Sequence, residues 1–166
     1  MSVERKSAFA PVVDAGTRLL ILGSLPGDAS LAAGQYYAHP RNGFWRLVGG
    51  VIGRDLIALP YPERLEALAA AGIGLWDVIA GAERPGSLDA AIRNAEAADL
   101  AGLVATLPRL RAVAFNGALS ARNGRALLRT APPGLSLIDL PSSSPAHARP
   151  FAEKAAAWGV LADALR

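Results

Sequence analysis

The chain has 166 residues, no cysteine, 52% hydrophobic and 19% charged residues, and a formal net charge of +3 at pH 7. That length fits one domain, 1–166, able to bury about 70% of the surface its unfolded chain exposes, and the composition is too apolar for a disordered chain. Without cysteine there are no disulfide staples, thiolate metal sites or cysteine nucleophiles, and only His39 and His147 remain as imidazole ligands or bases.

No run of about 18 uncharged apolar residues is available to span a bilayer. The opening MSVERKSAFAPVVDAG lacks the unbroken apolar stretch of a signal peptide, so a soluble, cytoplasmic protein is expected. Arginine supplies all the cations except Lys6 and Lys154. A planar guanidinium suits phosphate better than a point charge does, but a GC-rich genome yields the same bias, so composition leaves both readings open.

Short apolar runs alternate with helical patterns, the organisation of an α/β domain. The first strand is expected at 17–22, stopped by Gly23-Ser24-Leu25-Pro26-Gly27, followed by helices at 44 to about 53 and at 62–71. A second strand is expected at 73 to about 79, then helices at 88–93 and 99–107. A third strand at 111–115, a helix at 118–130, a fourth strand at 135–140 and a helix at 152–165 complete the chain. The strands are apolar without alternation, as in parallel strands covered on both faces. The expected fold is therefore a three-layer α/β/α sandwich around a four-stranded, mainly parallel sheet. In such sheets ligands bind beyond the carboxyl ends of the strands.

Four segments fall at those ends: GSLPGDAS with QYYAHPRNGFW after the first strand, Asp77 with GAERPGS after the second, FNGA after the third, and LPSSSPAHA after the fourth. Gly23 and Gly27 permit a tight turn and a close backbone approach to a ligand. The GK[ST] ending of a Walker loop and the G-x-G-x-x-G dinucleotide pattern are both missing there. His39 precedes Pro40, which biases it to extended backbone, with its ring either facing the cleft or structural. Asn42 suits the N-cap of the helix at 44, and Asp77 suits a loop-bracing carboxylate. Ser142, Ser143 and Ser144, between Pro141 and Pro145, make a stiff loop whose hydroxyls and amides can hold phosphates without reading sequence. Arg41, Arg84, Arg122, Arg125 and Arg149 are candidate phosphate contacts, with a solvated helix face as the default for the middle ones.

GSLPG closing the first strand, YYAHPRNGFW opening a helix, LWDVI, and LPSSSPAHA resemble, in order and strand-end position, the uracil-DNA glycosylase superfamily. Within it the likeness is to the hypoxanthine-DNA (deoxyinosine) glycosylase group, over nearly the whole chain from Arg18 to Trp158. The resemblance implies a monomeric, cofactor-free enzyme that flips a deaminated base out of DNA, cuts its N-glycosidic bond with water and leaves an abasic site. It implies that Tyr37 lies under the base; its neighbour Tyr36 suits either that cleft or the core. Gly23, Ser24 and Leu25 border the base, and Asn42 positions water or the base, with His39 a second catalytic candidate. Asp77 accepts a hydrogen bond from a ring N–H. Ser142, Ser143, Ser144, Arg41, His147 and Arg149 contact DNA. Leu25 stands where related enzymes place a water-positioning Asp or Asn, and Leu140 where the best-known uracil enzymes place a His. Rival readings are a mismatch-type uracil glycosylase, a lesion-binding domain without turnover, and a small-molecule α/β enzyme.

Overall fold

The computed structural model describes residues 4–166. A short strand β1 (Arg5–Ser7) precedes β2 (Leu19–Gly23), and three helices follow: α1 (Asp28–Ala33), α2 (Phe44–Ile52) and α3 (Tyr61–Ala71). Next come β3 (Ile73–Asp77), β4 (Ile79–Glu83), a single 3-10 turn (Asp89–Ala91), β5 (Arg93–Ala97) and α4 (Leu100–Ala105). β6 (Ala112–Asn116), α5 (Ala118–Leu127), β7 (Ser136–Leu140), α6 (Phe151–Trp158) and α7 (Leu161–Ala164) complete the fold.

β2, β3, β6 and β7 form one parallel sheet in the order β3-β2-β6-β7. Successive side chains of a strand point to opposite faces, and β2 supplies both cores from LLIL, all fully buried. Leu19 and Ile21 pack with Phe44, Trp45, Leu68 and Trp158 on one side. Leu20 and Leu22 pack with Val104, Phe115, Leu128 and Ile79 on the other. That two-sided burial is what the unalternating apolar runs encode, and the three-layer α/β/α expectation holds. No helix among the described residues is long and apolar enough to cross a membrane.

The structure departs from the sequence expectations around residues 78–97. The run at 73–79 is not one strand: it leaves the parallel sheet after Asp77, where Val78 N–H donates to Gly23 O and Ile79 N–H to Ser24 O. Its continuation, β4, joins an antiparallel three-stranded sheet with β1 and β5. The helix expected at 88–93 is instead the 3-10 turn leading into β5. RKS and RNAEA bury almost nothing, so neither strand carries an apolar period, and each is held by backbone pairing to β4. α1, fewer than two turns long and ended by Gly34 at φ 65°, is also too short to show one. The last helical stretch divides at Gly159 into α6 and α7.

The register fixes the site. Gly23 lies opposite Asp77 across β2 and β3, and Asn116 opposite Leu140 across β6 and β7, so the sequence-distant strand ends meet at one edge of the sheet.

Candidate active site

The carboxyl ends of the parallel strands open into a cleft of about 790 Å³. It gathers Gly23, Ser24, Leu25, Tyr37, His39, Arg41, Asn42, Asp77, Ser142, Ser143, Ser144 and His147 from the segments singled out above. Arg149 lies outside it, on a smaller neighbouring cavity. Asn116, Asp89 and Arg122 also line the cleft.

At its floor the Asp77 carboxyl and the Tyr37 hydroxyl crowd over position 23, where glycine leaves them room. A Cβ there would stand 2.6 Å from Asp77 Oδ1 and 3.0 Å from Tyr37 Oη. Tyr37 is held at φ 55°, a left-handed backbone conformation that non-glycine residues seldom adopt, and such strain concentrates at functional positions. Its ring stacks on Phe44 with centroids 3.9 Å apart and planes 15° from parallel, which covers one face. Tyr36 turns into the core, 4% exposed, and its hydroxyl donates to Ala10 O at 3.0 Å. Burial, then the nearby Asp77 carboxyl, push both phenols above their ordinary range.

Asp77 Oδ2 and Tyr37 Oη are buried without hydrogen-bond partners. Burial raises the Asp77 carboxyl from 3.8 to about 7, opposed by Arg84 and reinforced by Asp89. Buried polar groups without partners at a cleft floor call for one, and such groups concentrate at functional sites.

Asn42 lines the cleft but is not the N-cap of α2: Gly43 takes that position without a side-chain cap bond, and Asn42, one residue earlier, makes an Asx-type turn instead. Its Oδ1 accepts the Phe44 N–H at 3.0 Å, at the start of α2. Because a backbone N–H can only donate, this bond fixes the oxygen on that side and leaves the Nδ2 hydrogens and a second Oδ1 lone pair for the cleft. His39 is exposed, and its Nδ1 accepts the Arg41 N–H at 3.1 Å, so the ring's other nitrogen is the one free to meet a ligand.

The serine loop is braced rather than loosely displayed. Ser143 is 3% exposed; its N–H donates to Asn116 Oδ1 and its Oγ accepts from Asn116 Nδ2, both at 2.9 Å. The Ser143 carbonyl accepts the Gly43 N–H, the Ser144 carbonyl accepts Lys154 Nζ, and Pro141 O accepts Trp158 Nε1–H. Ser142 Oγ accepts the Ser144 N–H and Ser144 Oγ the Ala146 N–H, so both hydroxyls keep their own hydrogen to donate.

Two candidate phosphate contacts are otherwise engaged. Arg84 is 1% exposed, donates to Leu25 O and Pro26 O, and stands 3.7 Å from Asp89, which itself accepts Ser24 Oγ–H at 2.6 Å. It cross-links the GSLPG turn to the 3-10 segment instead of reaching DNA. Arg125 pairs with Asp139 at 3.1 Å and donates to Leu137 O. Leu25 lines the cleft while packing into the core, and Leu140 faces the core. Asn116 was readable only as a loop residue; its one signal was its position at a strand end, shared with Gly23 and Asp77.

The uracil DNA glycosylase superfamily model matches residues 10–163. The chain belongs to the uracil DNA glycosylase superfamily. It is 43% identical over 154 residues to the hypoxanthine DNA glycosylase of Methanosarcina barkeri, covering 93% of this chain and 96% of the relative. It is 42% identical over 153 residues to that of Methanosarcina acetivorans, covering 92% and 95%. A solution NMR structure of a candidate uracil DNA glycosylase from M. acetivorans superposes with TM-score 0.86 at 40% identity, covering 98% of this chain and 99% of that one. The chain is thus a DNA glycosylase.

Proposed function

We propose that this glycosylase releases hypoxanthine, and secondarily uracil, from deaminated DNA, acting as a monomer whose cleft is complete within one chain. The observation that carries the base assignment is the buried Asp77 carboxyl at the cleft floor, whose Oδ2 has no hydrogen-bond partner. Hypoxanthine presents O6 and N1–H, and uracil O4 and N3–H: one acceptor beside one donor. A neutral carboxyl matches that edge at two points, its O–H donating to the carbonyl while its second oxygen accepts the ring N–H. The free face of Tyr37 supports the ring, and Ser142 and Ser144 donate to the DNA backbone with Arg41, His147 and Arg149 nearby.

As the glycosidic bond stretches, the sugar gains positive charge and the base negative charge. Water oxygen bonds to C1′, the C1′–N bond breaks with its electron pair going to the base, and the water proton ends on the base nitrogen. An O–H donor at O6 stabilises the developing anion. Asn42 holds the attacking water through Nδ2–H and its remaining lone pair, positioning it rather than deprotonating it, since an amide is no base. Position 25, being leucine, contributes only an apolar wall.

Base release from duplexes holding deoxyinosine, deoxyuridine or no lesion tests this directly. We expect deoxyinosine to be cleaved fastest and Asn42→Ala to lower the single-turnover rate by about 10²-fold. If neither lesion is cleaved, or Asn42→Ala changes nothing, the assignment falls. Preference for deoxyuridine opposite guanine would select the mismatch-type uracil reading.

A further inference from the structure

Beside the cleft, and sharing Arg41, Ser143, Pro145 and His147 with it, is a second cavity of about 240 Å³ that the base-release chemistry does not use. Its walls carry Arg41, Arg46, Arg149, Lys154 and His147. Only Arg149 has an acidic partner, Glu153 at 3.5 Å. Among the described residues no carboxylate lies within 4 Å of the charged ends of Arg41, Arg46 or Lys154.

Lys154 is the unusual member. It is 6% exposed, on α6, and Nζ donates to Ser144 O at 3.1 Å. An ammonium has three hydrogens, and burying it without an anion is unfavourable. Burial and the neighbouring Arg149 already draw its proton affinity below the ordinary lysine range. Arg46, from α2, is held over the Phe151 ring with its guanidinium carbon 4.0 Å from the centroid. That stacking fixes the plane of the guanidinium and leaves its edge N–H groups for an oxyanion. A loop brace needs one lysine; it does not need two arginines without acidic partners facing the same small cavity.

We propose that this cavity seats one backbone phosphate of the DNA strand beside the extruded nucleotide, with Lys154 and Arg46 as its principal ligands. The proposal rests on the DNA glycosylase reading, since the shared wall of Arg41, Ser143, Pro145 and His147 sets this cavity directly beside the base cleft. Lys154 then links two events: the phosphate it binds and the Ser144 carbonyl it holds belong to the same loop–DNA contact, so seating DNA stiffens the serine loop.

The test is equilibrium binding of the full chain to a short duplex containing an uncleavable tetrahydrofuran abasic analogue, over a salt series. Arg46→Gln and Lys154→Met are each expected to weaken binding several-fold and to lower the slope of log K against log[salt] by about 0.9. Arg109→Gln, which removes an equal charge at the amino end of β6, should leave the slope unchanged. A scan with single uncharged methylphosphonates should reveal one position that weakens the wild type but not Arg46→Gln. Arg46→Gln does not touch the serine loop, so it reports even if Lys154→Met folds poorly. Slopes equal to wild type in both variants, or additive losses at every methylphosphonate position, would overturn the phosphate seat. Base release from the deoxyinosine duplex is read separately: cleavage with unchanged slopes rejects this seat alone, whereas absent cleavage rejects the glycosylase reading.

Discussion

Replacing Asp77 by asparagine separates the neutral from the charged form of the group proposed to meet the base edge. The carboxyl titrates near 3.8 when exposed and near about 7 in the fold. The folded state therefore holds the proton more tightly, and its stabilising effect is complete below 3.8 and lost as pH rises through about 7. The gap corresponds to about 4 kcal/mol, of which roughly 2 kcal/mol falls between about pH 5.5 and about pH 8.5. Asp77→Asn keeps a donor and an acceptor of similar shape and cannot titrate. Urea unfolding of both proteins at those two pH values isolates the effect, because the other carboxylates titrate alike in each. The stability of Asp77→Asn relative to wild type should increase by roughly 2 kcal/mol on going to the higher pH. The same variant should retain base release with a flat profile near neutrality, whereas the wild-type rate declines as pH rises through about 7 and the carboxyl becomes an anion facing an anionic leaving group. A stability difference that does not change with pH, or wild-type activity that rises across that range, would refute the assignment.

Three further outcomes follow from the same geometry. Gly23→Ala places a methyl 2.6 Å from Asp77 Oδ1 and 3.0 Å from Tyr37 Oη. It should cost about 1–3 kcal/mol in denaturant unfolding and reduce base release more than it reduces DNA binding. Asn116→Ala leaves the Ser143 N–H buried and unpaired; a loss of about 1–3 kcal/mol and faster hydrogen exchange at Ser143 and Ser144 are expected. Arg84→Met removes the cation that lowers the Asp77 carboxyl, so the midpoint of the activity profile should move above about 7, measured on the same deoxyinosine substrate.

The parallel sheet and its strand-end site were legible because burial on both faces writes an unbroken apolar run, as in LLIL, and because turn residues interrupt each run where the cleft forms. The second sheet was not, since RKS and RNAEA are exposed and held by backbone pairing and by surface contacts such as Arg5 with Glu83 and Glu96 and Asn94 with Glu83, none of which imposes an apolar period. The run at 73–79 misled for a related reason: apolar character continues through Val78 and Ile79 while the chain changes sheets, and burial alone cannot tell one partner sheet from another. At the site, Asn42 and Asp77 could be brought to the cleft because each stands at the end of an expected element, although each also suited a structural role that the chain gives to other groups. Arg84 could not, because whether an arginine is a surface cation or a buried cross-link depends on Asp89 and the Pro26 carbonyl closing around it. Asn116 and Lys154 had the same difficulty: their partners lie in a serine loop whose position is set by the whole fold.

Leu25 and Asp77 are best understood together. An acid at position 25 would assist the nucleophile, but it would add a negative charge to the cleft wall that already holds a buried carboxyl. Asp77 would then be pushed further toward neutrality, and the added anion would repel the departing base. With leucine at 25, 6% exposed and packed against the core, the floor stays apolar enough to raise the Asp77 carboxyl to about 7 without a second acid competing for the site. On the proposed reading the carboxyl stands on the leaving group's side of the bond rather than the water's side. That arrangement suits a base whose lactam edge needs a donor at O6, and it leaves water positioning to an uncharged amide, so most of the rate must come from stabilising the leaving anion rather than from activating water.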